Sequence, residues 1–263
     1  MFLLSRVRGA TAGWRFGSGM ATNRIRKALL ARRESALSYW WRRLKRPRTI
    51  RIDGFVVEVD QRQIGRTATK ALWRGTYEEA ERFLVRRALK PGDRVIEAGA
   101  GLGIVTMNIA KIVGPENLLV YEASPLTADL LQRNLERNGF SIEVRRRGLS
   151  DTDKRERFVH SRNVRASSSV AFPEGFSLDI PTDDVARVVE EFRPNALVLD
   201  IEGKEVDVLR GPALEKIEKV IVEIHPRQIG DGVYVPLYRT LFDAGFLIRH
   251  ELSIDNTLLF ERA

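Results

Sequence analysis

An apolar run ends in an acid and three evenly spaced glycines at Val95-Ile96-Glu97-Ala98-Gly99-Ala100-Gly101-Leu102-Gly103. Gly99, Gly101 and Gly103 let the backbone turn sharply and let a ligand approach the main chain, while the helix that follows offers its N-terminal amides. Ile104 stands where the dinucleotide fingerprint Gly-x-Gly-x-x-Gly requires its last glycine, which disfavours a nicotinamide cofactor. Glu97 would repel a pyrophosphate and suits a ligand's ammonium group. A strand-to-helix turn with no ligand is the plain alternative.

Glu122 closes the next apolar run, in Leu119-Val120-Tyr121-Glu122-Ala123-Ser124-Pro125. A carboxylate at that strand end, beside the glycine turn, can accept both ribose hydroxyls of an adenosine ligand. Taken alone it would read as a helix cap. Asp200 and Glu202 follow a third run, Leu197-Val198-Leu199, and His225 follows a fourth, Val220-Ile221-Val222-Glu223-Ile224. Strand carboxyl ends in an open α/β sheet face the ligand crevice, so Asp200 or His225 could take a proton from a substrate hydroxyl, with Glu202 shaping the site. A structural histidine bonded near a loop fits His225 equally well. Asp200 and Glu202 supply too few oxygen ligands to predict a metal.

These tips need a scaffold, and the hydrophobic pattern supplies one. Strand-like runs at 94–98, 117–121, 142–146, 196–201 and 220–224 alternate with helical patterns at 102–113, 125–138, 182–192 and 204–210, and a last helix spans 236–244. Segments 246–250 and 257–260 are too close in sequence for a parallel crossover, so they should pair antiparallel. The predicted fold is α/β: a doubly wound, mostly parallel, seven-stranded sheet with a closing antiparallel hairpin. Ahead of it, 49–60 reads as a small β-hairpin turning at Asp53-Gly54, and 77–89 as a helix stopped by Pro91-Gly92. The charged, Ser-rich stretch from 150 to 180 breaks the rhythm, and its part from 163 to 175 reads as an acceptor wall or a surface loop.

The chain has 263 residues and no cysteine, which excludes disulfides, thiolate metal sites and a cysteine nucleophile. Its net charge of +9 is concentrated at the front: residues 1–51 hold 14 Lys and Arg against the single acid Glu34, leaving 30 basic and 34 acidic residues beyond. Residues 1–48 therefore read as a basic extension, helical or disordered, and 49–263 as the catalytic domain. The extension suits an import presequence, a peripheral contact with anionic membrane, or a solvated helix. No apolar run reaches the roughly 20 residues of a spanning helix, so the expectation is a cytoplasmic protein, or a mitochondrial-matrix one if the front is a presequence.

Several ordered blocks together resemble the FkbM-type methyltransferases, from Gly75-Thr76-Tyr77-Glu78 and Lys90-Pro91-Gly92-Asp93 through the glycine turn to Tyr121-Glu122-Ala123-Ser124-Pro125 and Gly148-Leu149-Ser150-Asp151. Asp200-Ile201-Glu202-Gly203-Lys204-Glu205 and Glu223-Ile224-His225 complete the set. The resemblance implies a class I methyltransferase fold, which habitually ends in an antiparallel hairpin, with S-adenosylmethionine as methyl donor. It places Ser124, Gly148 and Leu149 beside Glu97, the three glycines and Glu122 as donor-binding residues. The usual outcome in that family is O-methylation of a hydroxyl on a small molecule, sugar or lipid. Glu97 and Ala100-Gly101-Leu102-Gly103 depart from the family's more usual Asp and Ala-Asn-x-Gly. A nicotinamide-dependent oxidoreductase is an alternative, weakened by Ile104 and by the lack of a Tyr-x-x-x-Lys pair. An RNA-binding or RNA-modifying protein using the basic front is another, weakened by the acidic remainder.

Overall fold

The structure, a computed structural model, describes residues 36–59, 61–160, 176–201, 203–209, 214–225 and 231–263. Glu202, the basic segment ahead of position 36 and the 163–175 stretch lie outside the described residues.

The chain enters through helix α1 (Ala36–Lys45), the hairpin β1 (Thr49–Ile52) and β2 (Phe55–Glu58), and helices α2 (Gln61–Arg74) and α3 (Glu79–Ala88). The first half of the main sheet is β3 (Val95–Ala98), α4 (Ile104–Val113), β4 (Leu118–Tyr121), α5 (Pro125–Arg137) and β5 (Val144–Arg145). An accessory sheet follows, made of β6 (Gly148–Ser150), β7 (Arg155–His160) and β8 (Phe176–Asp184). The second half is α6 (Val185–Phe192), β9 (Ala196–Leu199), α7 (Glu205–Val208), β10 (Lys219–Glu223), α8 (Val235–Asp243), β11 (Phe246–Ile248) and β12 (Thr257–Arg262).

Seven strands run in the order β11-β12-β10-β9-β3-β4-β5, with β12 antiparallel to both its neighbours and the other pairings parallel. The expected sheet and closing hairpin are both present. Successive strand residues point to opposite faces, and here each face has its own core. Val95, Val120, Val198 and Ile221 join one core with α3, α4, α5 and the hairpin. Ile96, Tyr121, Leu197, Leu199 and Val222 join the other with α6 and α8. Burial on both faces is why these strands read as unbroken apolar runs rather than alternating ones. Among the described residues no helix is long and apolar enough to cross a membrane.

Polar side chains fix the ends of this framework. At the sheet's lower edge the buried Lys219 ammonium bonds Asp93 at 2.7 Å, and the Asn195 amide donates to the same carboxylate at 3.0 Å. That pairing ties the entries of β3, β9 and β10 together. The hairpin is held by Asp53, which accepts from Arg82, Arg86 and Asn108 at 2.6–3.2 Å. Its open edge is capped by α5, where Asn134 and Asn138 accept the amides of Glu58 and Val56.

Beyond the short strand β6, three details depart from the sequence reading. Helix α2 was not predicted: its buried Ile64, Ala68 and Leu72 have helical spacing, but Gly65 at φ 73° breaks the helix near its start. The strand expected at 142–146 pairs only at 144–145. Residues 182–184 extend β8 instead of starting a helix, because the Asp184 carboxylate caps α6 by accepting from the amides of Ala186 and Arg187.

Candidate active site

All the predicted acids and the histidine that the structure describes lie at the carboxyl ends of the central strands. The order reverses between β3 and β9, which lie side by side but lead to opposite halves of the sheet, and this is where open α/β folds place their ligands. Glu97 sits within β3, Glu122 just beyond β4, Asp200 just beyond β9, and Glu223 and His225 at and beyond the end of β10.

The glycine turn bridges these tips. The amides of Gly99 and Ala100 donate to the Tyr121 carbonyl at 3.0 and 3.3 Å, and the Asp200 amide donates to the Ala98 carbonyl at 3.0 Å. Gly99 has φ +84°, and a methyl group there would lie 1.8 Å from the Asp200 carbonyl oxygen. The exits of β3 and β9 thus cross at a distance only glycine permits. Gly103, at φ +83°, has the Leu131 side chain where its own would be, so α4 begins packed tightly on α5.

Glu97 is 2 % exposed and its Oε2 has no hydrogen-bond partner. Burial, opposed by the Thr106 hydroxyl beside it and reinforced by the nearby carboxylates of Glu78 and Glu122, raises its pKa well above the ordinary carboxylate value. Glu122 is also buried, but its oxygens are occupied: Oε2 accepts from the Gly101 amide at 3.0 Å and Oε1 from the Ser124 amide at 2.8 Å. Burial pushes its pKa to about 7 against the pull of those two bonds. Each oxygen keeps a second acceptor site.

Among the described residues, the recess beside Glu97 is lined by Glu78, Glu81, Gly99, Ala100, Asp200 and Ile221, among others, and by no Lys or Arg. Glu223 stands close by, its pKa pushed up to about 10 by burial and then by the carboxylates of Asp200 and Glu81. His225 gathers these groups. Its Nε2 lies 3.5 Å from Asp200 Oδ1 and 3.8 Å from Glu223 Oε2, and its Nδ1 lies 3.5 Å from Oε1 of the buried Glu205. Glu205 in turn accepts the Gly203 amide at 3.0 and 3.1 Å, and the His225 amide donates to the Tyr234 hydroxyl at 2.6 Å. The imidazole is therefore held between an inner carboxylate and the open tip of β9. No metal was expected, yet Asp200, Glu223 and His225 place ligand atoms within 4.8 Å of one another, a spacing a cation would tolerate.

Three predicted residues have mainly structural surroundings. The Ser124 hydroxyl caps α5, accepting from the Thr127 amide at 3.3 Å and the Thr127 hydroxyl at 2.9 Å. Gly148 and Leu149 lie in β6, paired with β8, and Leu149 packs in the core of the α6 face. Neither lines the recess beside Glu97. Glu78, Glu81, Glu205 and Glu223 were quoted only as parts of motifs, or not at all, and were given no role. The parallel register, which sets Leu199 opposite Val222, is what brings Asp200 and Glu223 together.

A mostly parallel sheet with reversed strand order, closed by an antiparallel hairpin, is the class I methyltransferase fold. The chain belongs to the FkbM methyltransferase family: the profile of the methyltransferase FkbM domain matches residues 97–248. It is 33% identical over 114 residues to the hexuronic acid methyltransferase AglP of Haloferax volcanii, a match spanning 41% of this chain and 47% of that protein. It is also 33% identical over 97 residues to a ribosomal protein L11 methyltransferase of Symbiobacterium thermophilum, spanning 35% of this chain and 32% of that one. The chain thus spans less than half the length of either curated relative. Among solved structures it is similar to a ribosomal protein L11 methylase of Lactobacillus delbrueckii subsp. bulgaricus, with a TM-score of 0.42 and 15% identity over 70% of this chain and 78% of that one.

Proposed function

We propose that this methyltransferase moves the methyl group of S-adenosylmethionine onto a hydroxyl of a neutral small molecule, sugar or lipid. The observation that carries the reading is Glu97: a buried carboxylate with an unpartnered oxygen, beside a turn whose glycine has no room for a side chain. Burial keeps such a carboxyl protonated, and a cation brought from outside the chain would stabilise its ionised form. The donor's ammonium group is such a cation, and Glu122, with one acceptor site left on each oxygen, suits its ribose hydroxyls. When bound, the donor supplies a methyl group on a sulfonium that is already a good leaving group.

What remains for the chain is alignment and proton removal. His225 is the base we assign, with Nδ1 3.5 Å from the Glu205 carboxylate and Nε2 3.5 Å from Asp200, on the side we assign to the acceptor. Asp200, 3.5 Å from Nε2, favours the imidazolium formed when the proton arrives. The same ring of carboxyl groups, with no Lys or Arg beside it among the described residues, offers an anionic acceptor no counter-charge. The relative named for a hexuronic acid substrate supports a carbohydrate acceptor; the acidity of this recess argues for a neutral one.

A screen of S-adenosylmethionine consumption against neutral sugars, polyols, hydroxylated lipids and uronic acids tests this. Turnover with a neutral hydroxylated acceptor, at least about tenfold above that with its uronic acid, is expected. Preferential turnover of the uronic acid would overturn the acceptor class.

A further inference from the structure

Helix α1 presents Leu37, Trp40, Trp41 and Leu44 to solvent, with exposures of 82, 58, 57 and 80%. Their spacing, three and four residues apart, puts them on one face as a continuous apolar stripe. The opposite side is anchored: Tyr39 packs against the core, the Arg42 guanidinium donates to the Trp73 carbonyl at 3.1 Å, and Arg74 stacks on the Tyr39 ring. The stripe is therefore held outward by the fold. Residues 36–52 include six Lys and Arg and no acid, with Arg43, Lys45, Arg46 and Arg48 next to the stripe.

We infer that this face of α1 docks on the surface of an anionic lipid bilayer. Leucines entering the acyl boundary, tryptophan rings at the headgroup level and basic side chains against anionic headgroups make up the chemistry of an interfacial helix. Charge argues against the other occupants. A second copy would bring the same basic cluster against this one, and residues 1–35, with eight Lys and Arg and one acid, are positive as well. RNA would satisfy the charge but give Leu37 and Leu44 nothing to pack on. The Arg42–Trp73 bond joins α1 to the end of α2, two residues before Gly75-Thr76-Tyr77-Glu78 reaches the recess, so docking would bring the site close to the membrane. Attachment at α1 is independent of the methyl-transfer reading, and the failure of either leaves the other standing.

Co-sedimentation of the full chain with vesicles of phosphatidylglycerol in phosphatidylcholine, and with phosphatidylcholine alone, tests the docking. Binding to the anionic vesicles about tenfold or more above the neutral ones, weakening with salt and accompanied by a blue shift of tryptophan emission, is expected. Trp40→Ala with Trp41→Ala should abolish both binding and shift, and Arg43→Gln with Lys45→Gln should remove the preference for anionic lipid. All four side chains are exposed, and only the Trp40 ring touches the anchoring Tyr39, so thermal unfolding of each variant, with Trp41→Ala alone as the control that leaves Tyr39 untouched, separates lost docking from lost folding. Docking is refuted by no binding to anionic vesicles, or by binding that survives loss of both tryptophans. It is equally refuted if these substitutions abolish RNA binding or self-association while leaving vesicle binding intact.

Discussion

Gly99→Ala is expected to cost more than about 4 kcal/mol and to leave the chain largely unfolded or aggregated at physiological temperature. Two effects add. A left-handed φ of +84° strains any residue with a side chain by about 1–2 kcal/mol. The new methyl group would also sit 1.8 Å from the Asp200 carbonyl oxygen, and that contact is to backbone, which has no rotamer to escape into. Relief requires the exits of β3 and β9 to part, breaking the bond from the Asp200 amide to the Ala98 carbonyl. Gly139→Ala is the matched control: φ is +77° with nothing within 4 Å, so strain alone acts and a loss of about 1–2 kcal/mol is expected. Denaturant unfolding compares the two, and equal losses would show that the strand exits do not meet as described.

His225→Ala is expected to lower turnover by about 10²–10⁴-fold while leaving the affinity for S-adenosylhomocysteine unchanged. The imidazole stands among Asp200, Glu223 and Glu205 at 3.5–3.8 Å and does not line the recess beside Glu97, so its loss should remove proton transfer and spare donor binding. Reduced kcat at constant donor affinity is the signature of that role. A variant with unchanged kcat would leave His225 as a structural link between Glu205 and the sheet tips.

The glycine turn and its two acids were legible because strands buried on both faces give unbroken apolar runs, and such a run ending in an acid marks a sheet tip. Glu97 and Glu122 each stand at such an end. The acid and histidine cluster was less legible. Asp200 and His225 could be placed at strand ends, but Glu205 and Glu223 acquire their meaning from the pairing of β9 with β10, a relation between distant segments. Glu81 was hidden because an acid in the amphipathic helix α3 reads as solvated, whereas here it is buried and accepts from the Thr257 hydroxyl at 3.1 Å. The short strand at Gly148–Ser150 was missed because its partner lies some thirty residues away in β8. Gly148 and Leu149, which a motif resemblance placed at the donor site, have a sheet edge and a core as their nearest surroundings.

Glu97 carries the central claim, that a buried carboxylate is kept to receive a cationic ligand, and Glu97→Gln tests it in two directions. A carboxyl whose pKa is raised on folding binds its proton more tightly in the native state, so it disfavours folding as pH rises above the ordinary value near 4.5. The variant should match the wild type in stability below that pH and become the more stable of the two as pH increases. Glutamine keeps the shape but not the charge, so affinity for S-adenosylhomocysteine should fall about 10–100-fold, the usual worth of a charge-assisted hydrogen bond. The decisive measurement is calorimetric titration of S-adenosylhomocysteine into both proteins at neutral pH: clear binding to the wild type and this loss in the stabilised variant is the predicted result. No heat with the wild type at millimolar ligand, or equal affinity in both, would contradict it.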